Sequence, residues 1–312
     1  MSDAVLAWGA QALRDDLSSL LPGIAVEVVA RLTSTNSALL GRTRGEPSAG
    51  EVPARVRRSV ESSAFGRRAI DWQPCLLVAE HQTGGRGRLG RSWHASAGAS
   101  LTFSLALALG MDDWSGLSLA VGVALADALD ASPEVSRGNP RIGIKWPNDL
   151  WLVDAAAANG VGRKLGGVLV ETISAGTRRR AVIGIGINVA ALPEGQRSDS
   201  PSGYASLQEL LPGVDPPQAL ALIARPLVES LQRFERNGFA AFAERFAARD
   251  ILSGRRVATT LGEADSGIAR GVACNGALIV ETSLGQVAVA SGEVSVRLHD
   301  AATIAAASPA PG

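Results

Sequence analysis

The sequence predicts an α+β protein, with one large domain over residues 1–252 and a small β domain over 253–299. Apolar residues recur at helical spacing in some segments and alternate in valine- and isoleucine-rich runs in others, with no internal repeat. From Gly254 the texture changes to short β-like runs separated by Gly, Asp, Asn and Ser, the pattern of a small barrel. A length of 312 residues, 46% of them hydrophobic and 19% charged, is enough for both units and a sizeable core.

The elements follow in order. Val5, Leu6, Trp8, Leu13, Leu17 and Leu20 carry helical periodicity over 3–21. Residues 26–32 alternate and read as a strand. A second helix starts over 33–40, with Ser34 or Thr35 as its N-cap. Residues 41–73 are rich in Gly, Arg, Ser, Pro and Glu and read as a long, mobile surface loop. A short apolar strand over 75–80 leads into a Gly/Arg loop over 83–98. Residues 100–109 form another strand and 117–129 an apolar helix. Strands over 142–146 and 150–153 flank a Pro-Asn-Asp turn, and 164–172 and 179–189 are β-rich. Residues 216–234 and 239–249 are helical, with Phe239, Phe242 and Phe246 in helical register. Five short β runs follow, over 256–260, 267–274, 277–281, 286–290 and 294–297. The Ala/Pro-rich segment 300–312 reads as a disordered tail.

Composition narrows the function classes. Lys+Arg and Asp+Glu both number 30, so the chain lacks the net basic charge of a general polyanion binder. Cys75 and Cys274 stand far apart without a C-x-x-C motif, which argues against a disulfide framework or a cysteine zinc site. His81, His94 and His299 are scattered and suggest no metal cluster. The N-terminus lacks the basic start and apolar core of a signal peptide, and no apolar run approaches transmembrane length. A cytoplasmic protein is expected, with no membrane partner. The segment before residue 30 is too short for a helix-turn-helix, so no DNA partner is expected.

Four motifs carry chemistry. In Gly84-Gly85-Arg86-Gly87-Arg88-Leu89-Gly90-Arg91-Ser92-Trp93, glycines let backbone N–H groups approach a phosphate while planar guanidinium groups neutralise it. Taken alone, such a loop is as often a solvated basic surface. Gly85 to Gly90 also fits G-x-G-x-x-G, but a dinucleotide fingerprint must open a helix, and here a loop and a strand follow. In Lys145-Trp146-Pro147-Asn148-Asp149, a lysine, an amide and a carboxylate meet at a strand end, where a sheet fixes their direction. Lys145 suits phosphate charge, and Asn148 and Asp149 suit Mg²⁺ or an incoming amine, although Pro-Asn-Asp is also ordinary turn chemistry. Arg163-Lys164-Leu165-Gly166-Gly167-Val168-Leu169-Val170-Glu171 opens an alternating strand with a lysine beside two glycines that permit close approach. Gly184-Ile185-Gly186-Ile187-Asn188 places glycines inside a strand. A flat adenine or plain strand packing would both account for them.

Together with Ser34-Thr35-Asn36, these motifs in this order resemble the biotin protein ligase family, across residues 34–190. The resemblance implies a mixed-sheet catalytic domain related to class II aminoacyl-tRNA synthetases and a small C-terminal SH3-like barrel. It implies ATP- and Mg²⁺-dependent activation of biotin to biotinyl-5′-AMP, then transfer to a lysine of a biotin carboxyl carrier domain of a carboxylase. Ser34, Thr35, Asn36 and Gln82 would bind the ureido ring. Gly85, Arg86, Gly87 and Arg88 would wrap the intermediate, with Lys164, Gly166 and Gly167 beside it. Arg86, Arg88, Arg91, Trp93, Lys145, Asn148 and Asn188 would line the adenylate site. Lys164, Arg88, Lys145 and Asp149 would be catalytic, with Asn148 and Asp149 the candidates for Mg²⁺. Family members are monomers or homodimers. A lipoate or octanoate ligase or transferase shares the superfamily fold and is the enzymatic alternative. A non-catalytic biotin sensor is the other.

Overall fold

Two central strands show how the sequence builds the sheet. Strand β5 (Ser100–Ala108) reads S-L-T-F-S-L-A-L-A and β9 (Arg178–Asn188) ends I-G-I-G-I-N, so large apolar residues alternate with small or polar ones. Side chains alternate across a strand, so each puts its bulk on one face. The antiparallel register aligns the faces: Phe103 opposes Ile185, Leu101 opposes Ile187, Ser104 opposes Gly184 and Thr102 opposes Gly186. The apolar face joins one large core with the helices. The other carries Ser100, Thr102 and Ser104, all buried.

The computed structural model describes residues 6–44, 72–131, 139–157, 159–175, 178–192, 203–290 and 295–298. Most of the segment expected as a surface loop, and the whole 300–312 tail, lie outside these. Helix α1 (Ala10–Ser18) precedes β1 (Ala25–Leu32), α2 (Thr35–Arg44) and β2 (Cys75–Gln82). The glycine/arginine loop forms a two-stranded ribbon, β3 (Gly85–Arg86) with β4 (Ser92–Trp93), around a 3₁₀ turn. After β5 come α3 (Leu117–Leu129), the hairpin β6 (Ile142–Lys145) and β7 (Asp149–Val153), then β8 (Gly162–Ala175) and β9. The sheet has seven strands in the order β1-β2-β5-β9-β8-β7-β6. Strands β1 and β2 are parallel and the other pairs antiparallel, which makes it mixed.

Helix α4 (Pro216–Asn237) starts at a capping box, with Asp215 accepting from Gln218 N and two prolines in its first turn. It buries Leu220, Ile223, Leu227, Leu231 and Phe234 along one side. A 3₁₀ turn (Phe239–Phe242) and α5 (Ala243–Ala247) replace the single helix expected over 239–249. The aromatic pattern still holds, since Phe239, Phe242 and Phe246 are all buried and Phe239 meets Phe246 edge-on at 6.0 Å. Helix α1 is shorter than its periodicity suggested, because Gly9 sits in the left-handed region at φ 56° just before it. Helix α2 absorbs residues 41–44 of the expected loop.

Strands β10 (Arg256–Thr259), β11 (Ser266–Val272), β12 (Leu278–Thr282), β13 (Gly285–Val289) and β14 (Val296–Leu298) form a five-stranded antiparallel sheet in the order β13-β12-β11-β10-β14. Val257, Ala269, Leu278, Val280 and Val296 join the same apolar cluster as Phe103 and Ile185, so the core runs on through the change of texture at residue 253. Trp146 Nε1 donates to Gly276 O at 3.0 Å across this junction.

Two aspartates near the junction differ. Asp130 is fully buried, and bonds from Ile142 N, Arg141 and Arg249 outweigh the cost of burial and hold it below the usual carboxylate range. Asp250 receives Leu252 N at 2.9 Å on Oδ1, while its Oδ2 is buried without a partner. Burial pushes its pKa up to about 6. Among the described residues no helix is long and apolar enough to cross a membrane.

Candidate active site

The small-residue face of the sheet is the floor of the site. At one end, a closed hydrogen-bond network gathers side chains from α2, β2 and β5. Thr35 N donates to Gln82 Oε1 at 2.8 Å, with Thr35 Oγ1 at 3.1 Å from the same oxygen. Ser104 Oγ lies 2.6 Å from Thr35 Oγ1 and donates to Asn36 Oδ1 at 2.5 Å. Asn36 Nδ2 reaches Glu171 Oε2 at 2.8 Å and Leu169 O at 3.3 Å. Thr35, Asn36 and Ser104 are buried, so each polar atom needs a matched partner. The start of α2 places Thr35 and Asn36 here, and Ser34 serves that helix start, its Oγ accepting from Ser37 N at 3.4 Å.

The glycines of β9 explain how these groups sit so close to the sheet. A Cβ on Gly184 would lie 2.4 Å from Asn36 Oδ1, and one on Gly186 would lie 2.4 Å from the Trp93 ring. Of the two readings that the sequence left open, packing of side chains on bare strand accounts for both glycines. Asn188, two residues on, donates to Ala205 O at 3.1 Å and Lys164 O at 3.4 Å and so ties β9 to β8 and the following segment.

At the other end lies charge. Lys164 Nζ pairs with Asp149 Oδ1 at 2.8 Å across β8 and β7, beside Gly167, whose Cβ would stand 3.3 Å from Asp149 Oδ1 and 3.8 Å from Lys164 Nζ. Gly166 is packed against β9, where a Cβ would lie 2.5 Å from Gly186 O. Asn148 Nδ2 donates to Val168 O at 2.7 Å and pins the turn. Lys145 Nζ donates to Val296 O of β14 at 2.8 Å. Its pKa is lowered first by burial; Asp149 opposes this, while Lys164, Arg91 and Arg297 add to it. The Arg88 pKa is also lowered by burial, with Asp149 opposing and Arg91 assisting. Arg91 Nη2 donates to Ser295 Oγ at 3.1 Å. Several cations thus crowd around Asp149, an arrangement suited to a phosphate-bearing ligand. The small C-terminal sheet closes this end with Ser295, Val296 and Arg297.

The structure therefore collects the residues singled out from the sequence into two groups. Thr35, Asn36 and Gln82 form the neutral end, with Gly85 and Arg86 beside it: a Cβ on Gly85 would lie 3.0 Å from Gln82 Nε2, and Arg86 pairs with Glu171 at 3.1 Å. Arg88, Arg91, Lys145, Asn148, Asp149, Lys164 and Gly167 form the charged end, and Trp93 lies between them over Gly186. Gly87 keeps the ribbon closed by donating N–H to Arg91 O at 2.7 Å. Sequence reasoning gave no role to Glu171, although it closes the Arg163–Glu171 motif, and passed over Ser104 and Arg297. Ser104 was detectable, since S-L-T-F-S-L marks a strand with one polar face; Arg297 had no local signal.

Comparison with known proteins identifies this fold as that of a protein ligase. Residues 70–188 match the Biotin/lipoate A/B protein ligase family, and 252–297 match the Biotin protein ligase C terminal domain. The bifunctional ligase/repressor BirA of Escherichia coli is 33% identical over 281 residues, covering 89% of this chain and 75% of that protein. The biotin–[acetyl-CoA-carboxylase] ligase of Mycobacterium tuberculosis is 32% identical over 292 residues, covering 91% and 94%. The structure of the Aquifex aeolicus biotin protein ligase in complex with biotin and ATP superposes with a TM-score of 0.62 at 26% identity, covering 88% of this chain and 99% of that one. The chain belongs to the biotin protein ligase family and is a ligase.

Proposed function

We propose that the protein activates biotin with ATP and transfers it to a lysine of a biotin carboxyl carrier domain. The observation that carries this is the two-ended floor. A neutral hydrogen-bonding pocket stands at Gly184, and a cation cluster begins at Gly167, which pairs with Gly186. Two strand residues and one inter-strand spacing separate them, roughly 7 Å along and roughly 5 Å across. That suits a ligand with an uncharged polar ring at one end and a carboxylate becoming a phosphoric anhydride at the other.

In the first step a biotin carboxylate oxygen attacks the α-phosphorus of ATP. The bond from that phosphorus to the bridging oxygen breaks, giving biotinyl-5′-AMP and pyrophosphate. Lys164 holds the charge that develops on the carboxylate and phosphate oxygens, with Asp149 fixing its position. Lys145, Arg88, Arg91 and Arg297 neutralise the remaining phosphates. Among the described residues no three His, Cys, Asp or Glu side chains form a metal-holding group; Asp149, with Asn148 beside it, would hold an ATP-bound Mg²⁺. There it would offset triphosphate charge. In the second step the acceptor ε-amine attacks the anhydride carbonyl, and AMP leaves.

The ribbon β3–β4 covers the intermediate and keeps water away. We read the large domain as a relative of class II synthetase folds, which adenylate carboxylates, and the C-terminal sheet as an SH3-like domain. We place the reaction in the cytoplasm.

Pyrophosphate release with ATP and Mg²⁺ tests the reading, comparing biotin with lipoate and octanoate. Release that depends on biotin supports it. Release with lipoate or octanoate instead moves the chain to the sister activity, and no release with any acid refutes adenylation.

A further inference from the structure

Glu171 takes no part in the chemistry just described, yet it joins the two parts of the neutral end. Its Oε2 accepts from Asn36 Nδ2 at 2.8 Å, and both its oxygens accept from Arg86 Nη2, at 3.1 and 3.2 Å. An ion pair to the half-exposed Arg86 would contribute little alone. The contact with Asn36 differs, because Asn36 is only 3% exposed and lies inside a polar network.

We infer that Glu171 is a positioning residue: it fixes the donor–acceptor polarity of the pocket for the biotin ring and ties that pocket to the first arginine of the covering ribbon. This rests on the functional reading above. An asparagine amide has two ends of nearly equal size, one that donates and one that accepts. Glu171 Oε2 and Leu169 O can only accept, so the NH₂ end of Asn36 faces them. Asn36 Oδ1 is then turned to Ser104 and takes the single proton of that hydroxyl at 2.5 Å. Ser104 Oγ also lies 2.6 Å from Thr35 Oγ1, which donates its own proton to Gln82 Oε1 at 3.1 Å. Gln82 Oε1 is held by Thr35 N, which leaves the Gln82 amide nitrogen as the donor end. The carboxylate, with Leu169 O, thus sets the sense of the links at Asn36 and Ser104, while the backbone N–H of Thr35 sets that of Gln82.

A cyclic urea offers one carbonyl acceptor and two N–H donors in fixed places. A pocket of reversed polarity would leave buried groups facing their own kind, which costs far more than losing a bond. Without the carboxylate, the NH₂ end of Asn36 keeps only the longer bond to Leu169 O. Because Arg86 lies in the first strand of the ribbon, the same carboxylate holds the segment that closes beside the ring.

Calorimetric titration of biotin and steady-state pyrophosphate release test this together. Glu171→Leu is expected to raise the biotin Kd and KM on the order of 30-fold. The KM for ATP and the melting temperature should stay near wild type. Asn36→Asp sets two carboxylates face to face and should weaken biotin further. Combining Asn36→Asp with Glu171→Gln reverses the donor and acceptor, because the amide at 171 now donates to a carboxylate at 36. That pair should restore biotin affinity to within roughly fivefold of wild type, a non-additive rescue. A merely structural Glu171 would lower the melting temperature and raise both KM values together, with no rescue. Wild-type protein that turns over biotin, alongside a Glu171→Leu variant with unchanged biotin Kd, overturns this inference alone. Wild-type protein that neither binds biotin nor releases pyrophosphate overturns the functional reading and this inference with it.

Discussion

On one face of β5 and β9, Leu101, Phe103, Leu105, Ile183, Ile185 and Ile187 pack into the large core with α3 and α4; on the other, Ser100, Thr102, Ser104, Gly184, Gly186 and Asn188 make a low polar floor. The strands and register are the same, and only the alternate residue differs. The first face excludes water with bulk, whereas the second leaves room for side chains from α2 and the ribbon to settle on the sheet. Stability and chemistry are thus separated by the two-residue period of a strand.

Substitutions on the two faces should break different things. Phe103→Ala removes a fully buried ring from the packed face and should cost about 3–5 kcal/mol in urea unfolding. If its stability stays within 1 kcal/mol of wild type, the core assignment is wrong. Lys164→Ala, above the other face, should reduce biotin-dependent pyrophosphate release on the order of 10²–10³-fold with little change in unfolding; normal release would remove Lys164 from the chemistry. Gly184→Ala pushes a methyl into Asn36 and should raise the biotin KM roughly tenfold or more, while costing only about 1–2 kcal/mol of stability. A large stability loss with unchanged KM would mean that Gly184 serves packing alone.

Asp250, away from both faces, offers a pH comparison with Asp130. Its folded pKa of about 6 stands above the ordinary aspartate value of 3.8, so the native state holds the proton more tightly. Its stability cost is absent below about pH 4, grows as pH rises through about 6, and is full above that. Asp250→Asn mimics the protonated form and should stabilise by roughly 2–3 kcal/mol at pH 8, with the gain vanishing below about pH 4. Urea unfolding at both pH values checks this, and a pH-independent difference would contradict it. Arg88→Gly should have the mildest effect on the fold and show itself as released biotinyl-AMP several-fold above wild type, because the ribbon no longer covers the anhydride. Wild-type retention of the intermediate would end the covering role.

Much of this was legible in the sequence because it is local. Helix 117–129 and the five C-terminal strands follow from periodicity and turn residues, and the Gly/Arg loop and the Lys-Trp-Pro-Asn-Asp turn announce themselves by composition. What escaped depends on partners distant in sequence. Nothing near Gly184 names Asn36, and nothing near Glu171 names Arg86. The β14 carbonyl that receives Lys145 belongs to a segment that local patterns give only as a short strand. Helix α1 and the 239–249 segment misled for another reason: apolar spacing shows which residues are buried, and a backbone at Gly9 or a 3₁₀ turn can meet that spacing without a continuous helix.

The placement of the floor on strands paired along both edges also sets a clock. Amide hydrogens of β5 and β9 around Ser104 and Gly184 are held between neighbouring strands, so they should exchange with solvent deuterium only when the whole domain opens. The β3–β4 ribbon is held by two residue pairs and should exchange by local opening, many times faster. The pocket for the ring would then persist unchanged through countless openings of its cover, ready each time a new molecule arrives.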